Sequence, residues 1–266
     1  MSTATAPSHK VTFPRVLRSE WSKFWSVRSS WVTLGLSVVV LVAIGATASA
    51  AYRPDTAGSG GPPLGDSPVG LALTGMTFAG LAVGVLGVLV SAGEYSTGMI
   101  RSTLAAVPKR LPVLWSKGLV LGLITAAVSS VGALAAFQLG GVALQDTDIA
   151  LALGDDGVLR ALAGAGLYLG LIGVWGVALG ALLRSTPSGI AVLVSVLLIV
   201  PGLTSLLPDS VGEAVTPYLP GKAGEALTAL HGSADLLSPG AGLAALVGWA
   251  VLTLAMAGVR LTRTDA

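Results

Sequence analysis

The sequence predicts an all-α, polytopic membrane protein: six transmembrane helices with an N-terminal amphipathic interfacial helix. Three observations predict it. Apolar residues make up 53% of the 266 positions and charged residues 11%, with a mean hydropathy of +0.83, far outside the soluble average. Apolar runs long enough to cross a bilayer core recur six times. Lysine and arginine fall almost wholly on alternate connections between those runs. There is no cysteine, which excludes disulfides, thiolate metal sites and thiol chemistry.

The expected layout is a cytoplasmic arm over 1–30, a six-helix domain over 31–259 and a cytoplasmic tail over 260–266. Within the arm, Pro14 to Ser30 reads as a helix. On a wheel at 100° per residue, Val16, Leu17, Trp21, Phe24, Trp25 and Val27 form one arc, opposite Arg15, Arg18, Ser19, Ser22, Lys23 and Ser26. Pro14 suits a first helical turn, and a basic face opposite aromatic bulk suits a helix lying among lipid headgroups. A positively charged flank that only sets topology has a similar composition. The first apolar run ends at Ala48-Ser49-Ala50, a signal-peptidase-like pattern, but the long Trp-bearing arm and the length of the run argue for a retained first span.

The spans are placed at Trp31 to Ala51, Val69 to Ala92, Val113 to Leu144, Val158 to Leu183, Ile190 to Leu206 and Ala241 to Val259. Between Val69 and Val90 stand eleven Val, Leu or Phe residues. Together they favour insertion by about 5 kcal/mol, against a cost of about 3 kcal/mol for one central charge. No span is expected to hold an internal ionisable residue, and Gln138 is the one strongly polar side chain at depth. That argues against an ion-driven transporter or a channel built on charged rings. Small residues four apart, Gly80 and Gly84, Gly118 and Gly122, Gly166 and Gly170, Gly176 and Gly180, suit close helix packing; movable seams along a pathway are the alternative.

Twelve of the fifteen Lys and Arg residues lie on one side of this topology and ten of the thirteen acidic residues on the other. Cytoplasmic loops retain positive charge, so both termini are expected in the cytoplasm of a multi-pass cell-membrane protein. The segment from Gly93 to Pro112, closed by Trp115 and Lys117, then becomes a cytoplasmic loop. Its order is a Gly-Glu at the end of one span, a polar Tyr95-Ser96-Thr97-Gly98 turn, a stretch able to form a short helix from Ser102 or Thr103 to Pro108, and Lys109-Arg110-Leu111-Pro112. An ordinary positive loop is the simpler alternative, and Lys109, Arg110 and Lys117 are expected only to fix orientation.

Enzymatic constellations are missing. His9 and His231 lie at opposite ends and on opposite sides of the membrane, no G-x-S-x-G elbow occurs, and Gly221-Lys222 is followed by Ala223 where a phosphate loop needs Ser or Thr. Asp146, Asp148, Asp155 and Asp156 suit a solvated loop, with a divalent-ion site as the alternative. A catalytic role is therefore not expected, and neither is a metal site, a cofactor site or nucleic-acid binding.

The stretch Gly93-Glu94-Tyr95-Ser96-Thr97-Gly98-Met99-Ile100-Arg101 with Pro108-Lys109-Arg110 resembles the loop between the second and third spans of ABC-2 type permeases, membrane subunits of bacterial ABC exporters. The lead-in Arg18-Ser19-Glu20-Trp21-Ser22-Lys23 with Val27 to Trp31 is similar to that family's N-terminal connecting helix, and Tyr218 to Leu227 to a segment before its last span. The resemblance implies a half-transporter that pairs with a second permease subunit, as a homodimer or heterodimer, and with separate ABC ATPase subunits that bind ATP and Mg. It assigns Glu94, Tyr95, Ser96, Thr97, Gly98, Met99, Ile100 and Arg101 to a cytoplasmic coupling helix seated on the ATPase, with Glu94 and Arg101 as polar contacts. Arg184, Ser185 and Thr186 become a second cytoplasmic contact; Arg18, Trp21, Lys23, Phe24 and Trp25 the interfacial elbow; and Pro208 to Ser238 a re-entrant cap over the exit. Alternating access exporting an amphipathic or hydrophobic cargo is the implied function. A membrane anchor or regulatory scaffold that holds a cytoplasmic protein without transport is the competing expectation.

Overall fold

The computed structural model describes residues 12–53, 67–100, 110–204, 206–233 and 235–263, and no strand occurs among them. Helix α1 spans Phe13–Ser26 and α2 Arg28–Ala50, with extended Val27 as the joint between them. The order continues with α3 (Pro68–Ala72), α4 (Met76–Ser96), α5 (Arg110–Leu144) and α6 (Val158–Leu183). A helix running Thr186–Thr204 is α7, followed by α8 (Asp209–Val215), α9 (Pro220–Thr228) and α10 (Pro239–Arg263). Six helices are long and apolar enough to cross a membrane: α2, α4, α5, α6, α7 and α10.

Three boundaries differ from the sequence expectation in ways that matter. The second apolar run is two helices, because Ser67 Oγ accepts from Gly70 N at 3.0 Å to cap α3 and the chain turns again before α4. Gly75 sits in that turn against the backbone of Leu41, where a Cβ would come within 2.8 Å of the Leu41 carbonyl oxygen. At its other end α4 continues to Ser96, so Glu94 is a helical residue and not part of a loop. Helix α5 likewise begins at Arg110, which puts Lys117 about two turns inside it. The expectation that no span holds an internal ionisable residue is thus corrected at Glu94 and at Lys117, which already stood within the run placed at Val113 to Leu144; Arg160 stands in the first turn of α6.

Helix α6 is the hub. Glycine and alanine recur along it, and it packs on α4, α5, α9 and α10 with most of its surface buried. A Cβ on Gly180 would lie 2.8 Å from the Val88 carbonyl oxygen on α4, and one on Gly170 the same distance from that of Gly122 on α5. On α4, Gly84 meets Gly176 backbone to backbone. The small residues four apart therefore set how closely the helices approach, an arrangement that relies on van der Waals contact where lipid offers no hydrophobic drive. Trp175 on α6 donates from Nε1 to Thr253 Oγ1 on α10 at 3.1 Å, and its ring lies edge-on to Trp249 at 5.7 Å. Gln138 lies on the exposed side of α5.

Helix α6 starts after Gly157 at φ +84° and stops at Arg184, which adopts φ +53°. A left-handed non-glycine residue costs about 1 kcal/mol, and the turn it makes lets α7 begin two residues later. Inside α7 the residues Ser195–Ile199 form a wider, π-helical turn. Pro201 supplies the reason, since it lacks an N–H and its ring crowds the carbonyl of Leu197, four residues back. Between α7 and α10, α9 is buried against α6 and α10, and Arg160 donates to the carbonyls of Ala229 at 2.6 Å and Leu227 at 3.3 Å at its C-terminal end.

The apolar residues left outside make stripes. On α2, Val32, Leu36 and Val39 are 68%, 56% and 61% exposed and lie on one face. In a bilayer such a face is solvated by lipid tails.

Gly176→Ala is expected to push α4 and α6 apart and to cost about 1–3 kcal/mol. Gly141→Ala, on α5 and with open space at the Cβ, should not destabilise. Thermal melting of the two variants in detergent, followed by helical circular dichroism, checks the contrast.

Candidate functional site: a buried ion cluster at one end of the bundle

Helix α1 docks through Val16, Glu20 and Phe24, an i, i+4, i+8 stripe. Trp21 and Trp25, expected on the same arc as Val16, are 47% and 54% exposed. The helix therefore turns one edge of its apolar arc toward the bundle and leaves the indoles outside, with Trp25 lying 4.1 Å, centroid to centroid, from Trp31 at the start of α2. Arg18 is exposed. Glu20, in the middle of the docking stripe, is the residue that sequence reasoning left without a role.

Its partner is Lys117. The Lys117 ammonium donates to Glu20 Oε2 at 2.8 Å and to Glu94 Oε1 at 2.9 Å. Lys23, one turn along α1, donates to Glu20 Oε1 at 2.7 Å and to Glu94 Oε1 at 3.1 Å. Glu20, Glu94 and Lys117 are each buried, whereas Lys23 is about one third exposed. Among the described residues, two carboxylates and two ammonium groups from α1, α4 and α5 thus form one cluster. Lys117 does more than fix orientation, since it is the group on which three helices converge.

Electrostatics follow from this geometry. Burial pushes the Glu20 carboxyl up, but the Lys117 charge with hydrogen bonds from Lys117 and Lys23 outweighs it and holds Glu20 below the usual carboxylate range. For Lys23, burial pulls the ammonium down, and the hydrogen bond and charge of Glu20 with the charge of Glu94 more than reverse that. At 2.8 Å each contact is worth about 6 kcal/mol of gross attraction at an effective dielectric of about 20. Desolvation returns several kcal/mol per ion. The net gain is small, yet deleting one partner strands the others.

The neighbouring contact joins the two segments that the sequence placed at the cytoplasmic face. The Arg184 guanidinium lies over the Tyr95 ring, 5.3 Å from its centroid. Arg184 also donates to the Arg260 carbonyl at 3.4 Å, and Arg260 to that of Leu182. Ser185 and Ser188 hydroxyls lie 3.1 Å apart in the turn that leads through Thr186 into α7. The ends of α4, α6 and α10 are tied here, adjacent to the ion cluster through consecutive residues Glu94 and Tyr95.

Of the residues assigned to a coupling segment, Glu94 is buried in the cluster, Tyr95 is half-buried, Ser96, Thr97, Gly98 and Met99 are exposed, and Ile100 is buried. Gly98 takes φ +73°, which turns the chain sharply after α4. Arg101, the expected short helix from Ser102 or Thr103, and Lys109 lie outside the described residues. Glu94 bonds Lys23 and Lys117 within the chain, and among the described residues of this segment the exposed ones are Ser96 to Met99. Asp155 Oδ2 accepts from Ala152 N at 2.7 Å in a turn, and among the described residues no three His, Asp or Glu side chains gather as metal ligands.

Lys117→Met is expected to cost about 3–5 kcal/mol, because two buried carboxylates lose their shared cation; Lys23→Met, at the exposed edge, should cost about 1 kcal/mol. Melting in detergent separates them. The pH dependence follows from the signs. Glu20, lowered on folding, contributes stability above 4.5 that is lost as pH falls through its folded value. Lys23, raised on folding, contributes stability below 10.5 that is lost as pH rises through its folded value. Docking of α1, followed by Trp21 and Trp25 fluorescence, should be flat between those limits and weaken progressively as pH moves beyond them.

No protein-family model matches the chain, and a search of curated proteins finds no match. The residues themselves carry the functional reading.

Proposed function

We propose that the chain is the membrane-spanning permease subunit of an ABC transporter, working with a second permease subunit and with ATPase subunits on separate polypeptides. The observation that carries the proposal is the position of the exposed Ser96 to Met99 segment. It hangs directly from Glu94 and Tyr95, and through them from two sets of contacts that between them hold five helices. The motif resemblance of Gly93 to Arg101, and of the lead-in helix, supports the same reading.

A push on Ser96 to Met99 has two routes into the bundle. Through Glu94 it reaches Lys117 on α5 and Glu20 and Lys23 on α1. Through Tyr95 it reaches Arg184 at the end of α6 and, by the Arg260 contacts, α10. The glycine seams between α4, α5 and α6 supply surfaces smooth enough to repack. In this mechanism ATP closes the partner subunits, the coupling segment and lead-in helix move with them, and the spans alternate access around an apolar path. The cargo is amphipathic or hydrophobic, because the path offers it no fixed countercharge, and its outward direction follows the exporters that the motifs resemble. ATP hydrolysis belongs to the partner, and this chain is not itself an enzyme. The protein sits in the cell membrane with both termini in the cytoplasm.

The native chain has no cysteine, so single-cysteine variants need no background changes. Tagged protein purified in mild detergent is expected to carry a nucleotide-hydrolysing subunit, and Thr97→Cys is expected to crosslink to that subunit, with Leu139→Cys on the opposite part of the bundle as the negative control. A co-purified partner that hydrolyses no ATP would favour the scaffold. Absence of any ATPase would end the transporter reading.

A further inference from the structure

Beside the ion cluster, α1, α2, α4 and α5 enclose a cavity of about 460 Å³, within the range of small-molecule sites. Phe24, Leu86 and Leu121 give it an apolar floor and are themselves buried. Leu89, which also lines it, is 44% exposed, so the cavity runs out to the face of the bundle that lipid would cover.

Its polar side comes from the start of α2, through Ser29, Ser30 and Thr33. Spaced i, i+1 and i+4, they set three hydroxyls on one flank of the helix. None of the three hydroxyls is hydrogen-bonded among the described residues. Within the spans such groups usually turn back onto their own helix, as Ser37 does onto the Leu34 carbonyl and Ser130 onto that of Ala126. For Ser29 and Ser30 the carbonyls three and four residues back belong to Trp25, Ser26 and Val27, at the break between α1 and α2. The helix that would satisfy them has not yet begun.

Ser30 is the telling member. It is 3% exposed, and a buried hydroxyl left without a partner costs more than a made bond gains. Unlike Trp31 Nε1 and Glu94 Oε2, which are sealed from water, the Ser30 hydroxyl keeps a face open, and the cavity is what it lines. The acids of the cluster offer the cavity nothing comparable. Both Glu20 oxygens and Glu94 Oε1 are taken by lysines, and Glu94 Oε2 is closed off. A hydroxyl donates or accepts according to the field around it. Here that field is the positive end of the α2 dipole, with no capping side chain in place, and the one-third exposed Lys23 on the same lining. Both favour an anionic oxygen as the partner.

We propose that this cavity binds a single-chain amphiphile with an oxyanion head, a carboxylate or a phosphate. The head accepts from the Ser29 and Ser30 hydroxyls, and the chain lies along Phe24, Leu86 and Leu121 and leaves past Leu89. The site rests neither on an ATPase partner nor on transport.

The test titrates the purified full-length chain in neutral detergent with oleate, oleoyl lysophosphatidate, monoolein, oleylamine and inorganic phosphate, counting bound molecules by native mass spectrometry. One equivalent of oleate or lysophosphatidate is expected, bound about tenfold more tightly than uncharged monoolein or cationic oleylamine. Either acid binding the tighter supports the site and identifies its head. Ser30→Ala should remove most of the preference for the acids over monoolein, and Leu89→Trp, which fills the apolar side, should weaken every chain-bearing ligand. Monoolein or oleylamine binding as tightly as the acids, a preference that survives Ser30→Ala, or phosphate alone binding as tightly as lysophosphatidate would overturn the proposal. Should Ser30→Ala not assemble, undiminished binding by Leu89→Trp overturns it instead. No nucleotide or partner enters the assay, so its failure leaves the permease proposal standing, and the reverse holds.

Discussion

One ammonium group shared by two carboxylates organises this end of the molecule. Lys117 on α5 cannot satisfy Glu20 and Glu94 at once unless α1 and α4 stand at fixed positions and rotations around it. The stability gained is modest, because burial of each ion consumes much of the attraction. What the cluster confers is geometry. An amphipathic helix held only by Val16 and Phe24 would be free to slide along the bundle, whereas a charge triangle admits one register. The Tyr95 and Arg184 contact extends that fixity to α6 and α10 without adding another buried ion.

The rest of the bundle depends on the absence of side chains. Helix α6 approaches α4 and α5 through glycine, and among the described residues its polar ties are the Trp175 indole to Thr253 within the bundle, Arg160 at the end where α9 docks, and the Leu182 carbonyl that accepts from Arg260 at the other end. The molecule therefore has a charged, register-fixing end and a smooth, closely packed middle. Such a division suits a bundle in which motion enters at one end and is accommodated by sliding elsewhere.

The spans were legible in the sequence because hydropathy over about 20 residues is a sum of many small terms that few local details can overturn. The fourth span begins and ends where the sequence places it, at Val158 and Leu183. The split between α3 and α4 was not legible, since it depends on Ser67 as a cap and on the backbone of α2 crossing Gly75. Glu94 was read as a surface residue because it stands beside a polar turn, and its burial is decided by residues 23 and 71 positions away in the chain. A signal did exist in Glu20. It stands four residues after Val16 and four before Phe24, so any helix that buries those two buries a carboxylate between them, and a buried carboxylate requires a cation from elsewhere.

The widened turn at Ser195–Ile199 has a consequence for the outer surface of α7. A π-helical turn accommodates one residue more than an α-helical turn would, so everything beyond it is rotated by about 100° relative to an unbroken helix. Little of α7 is buried within the chain, and the azimuth of Leu203 and its neighbours is set by that single additional residue. Loss or gain of one residue there would exchange the outward-facing side of the last turn for another while leaving composition, length and hydropathy nearly unchanged. The phase of this helix is therefore a property that apolar content does not encode and that one indel can reset.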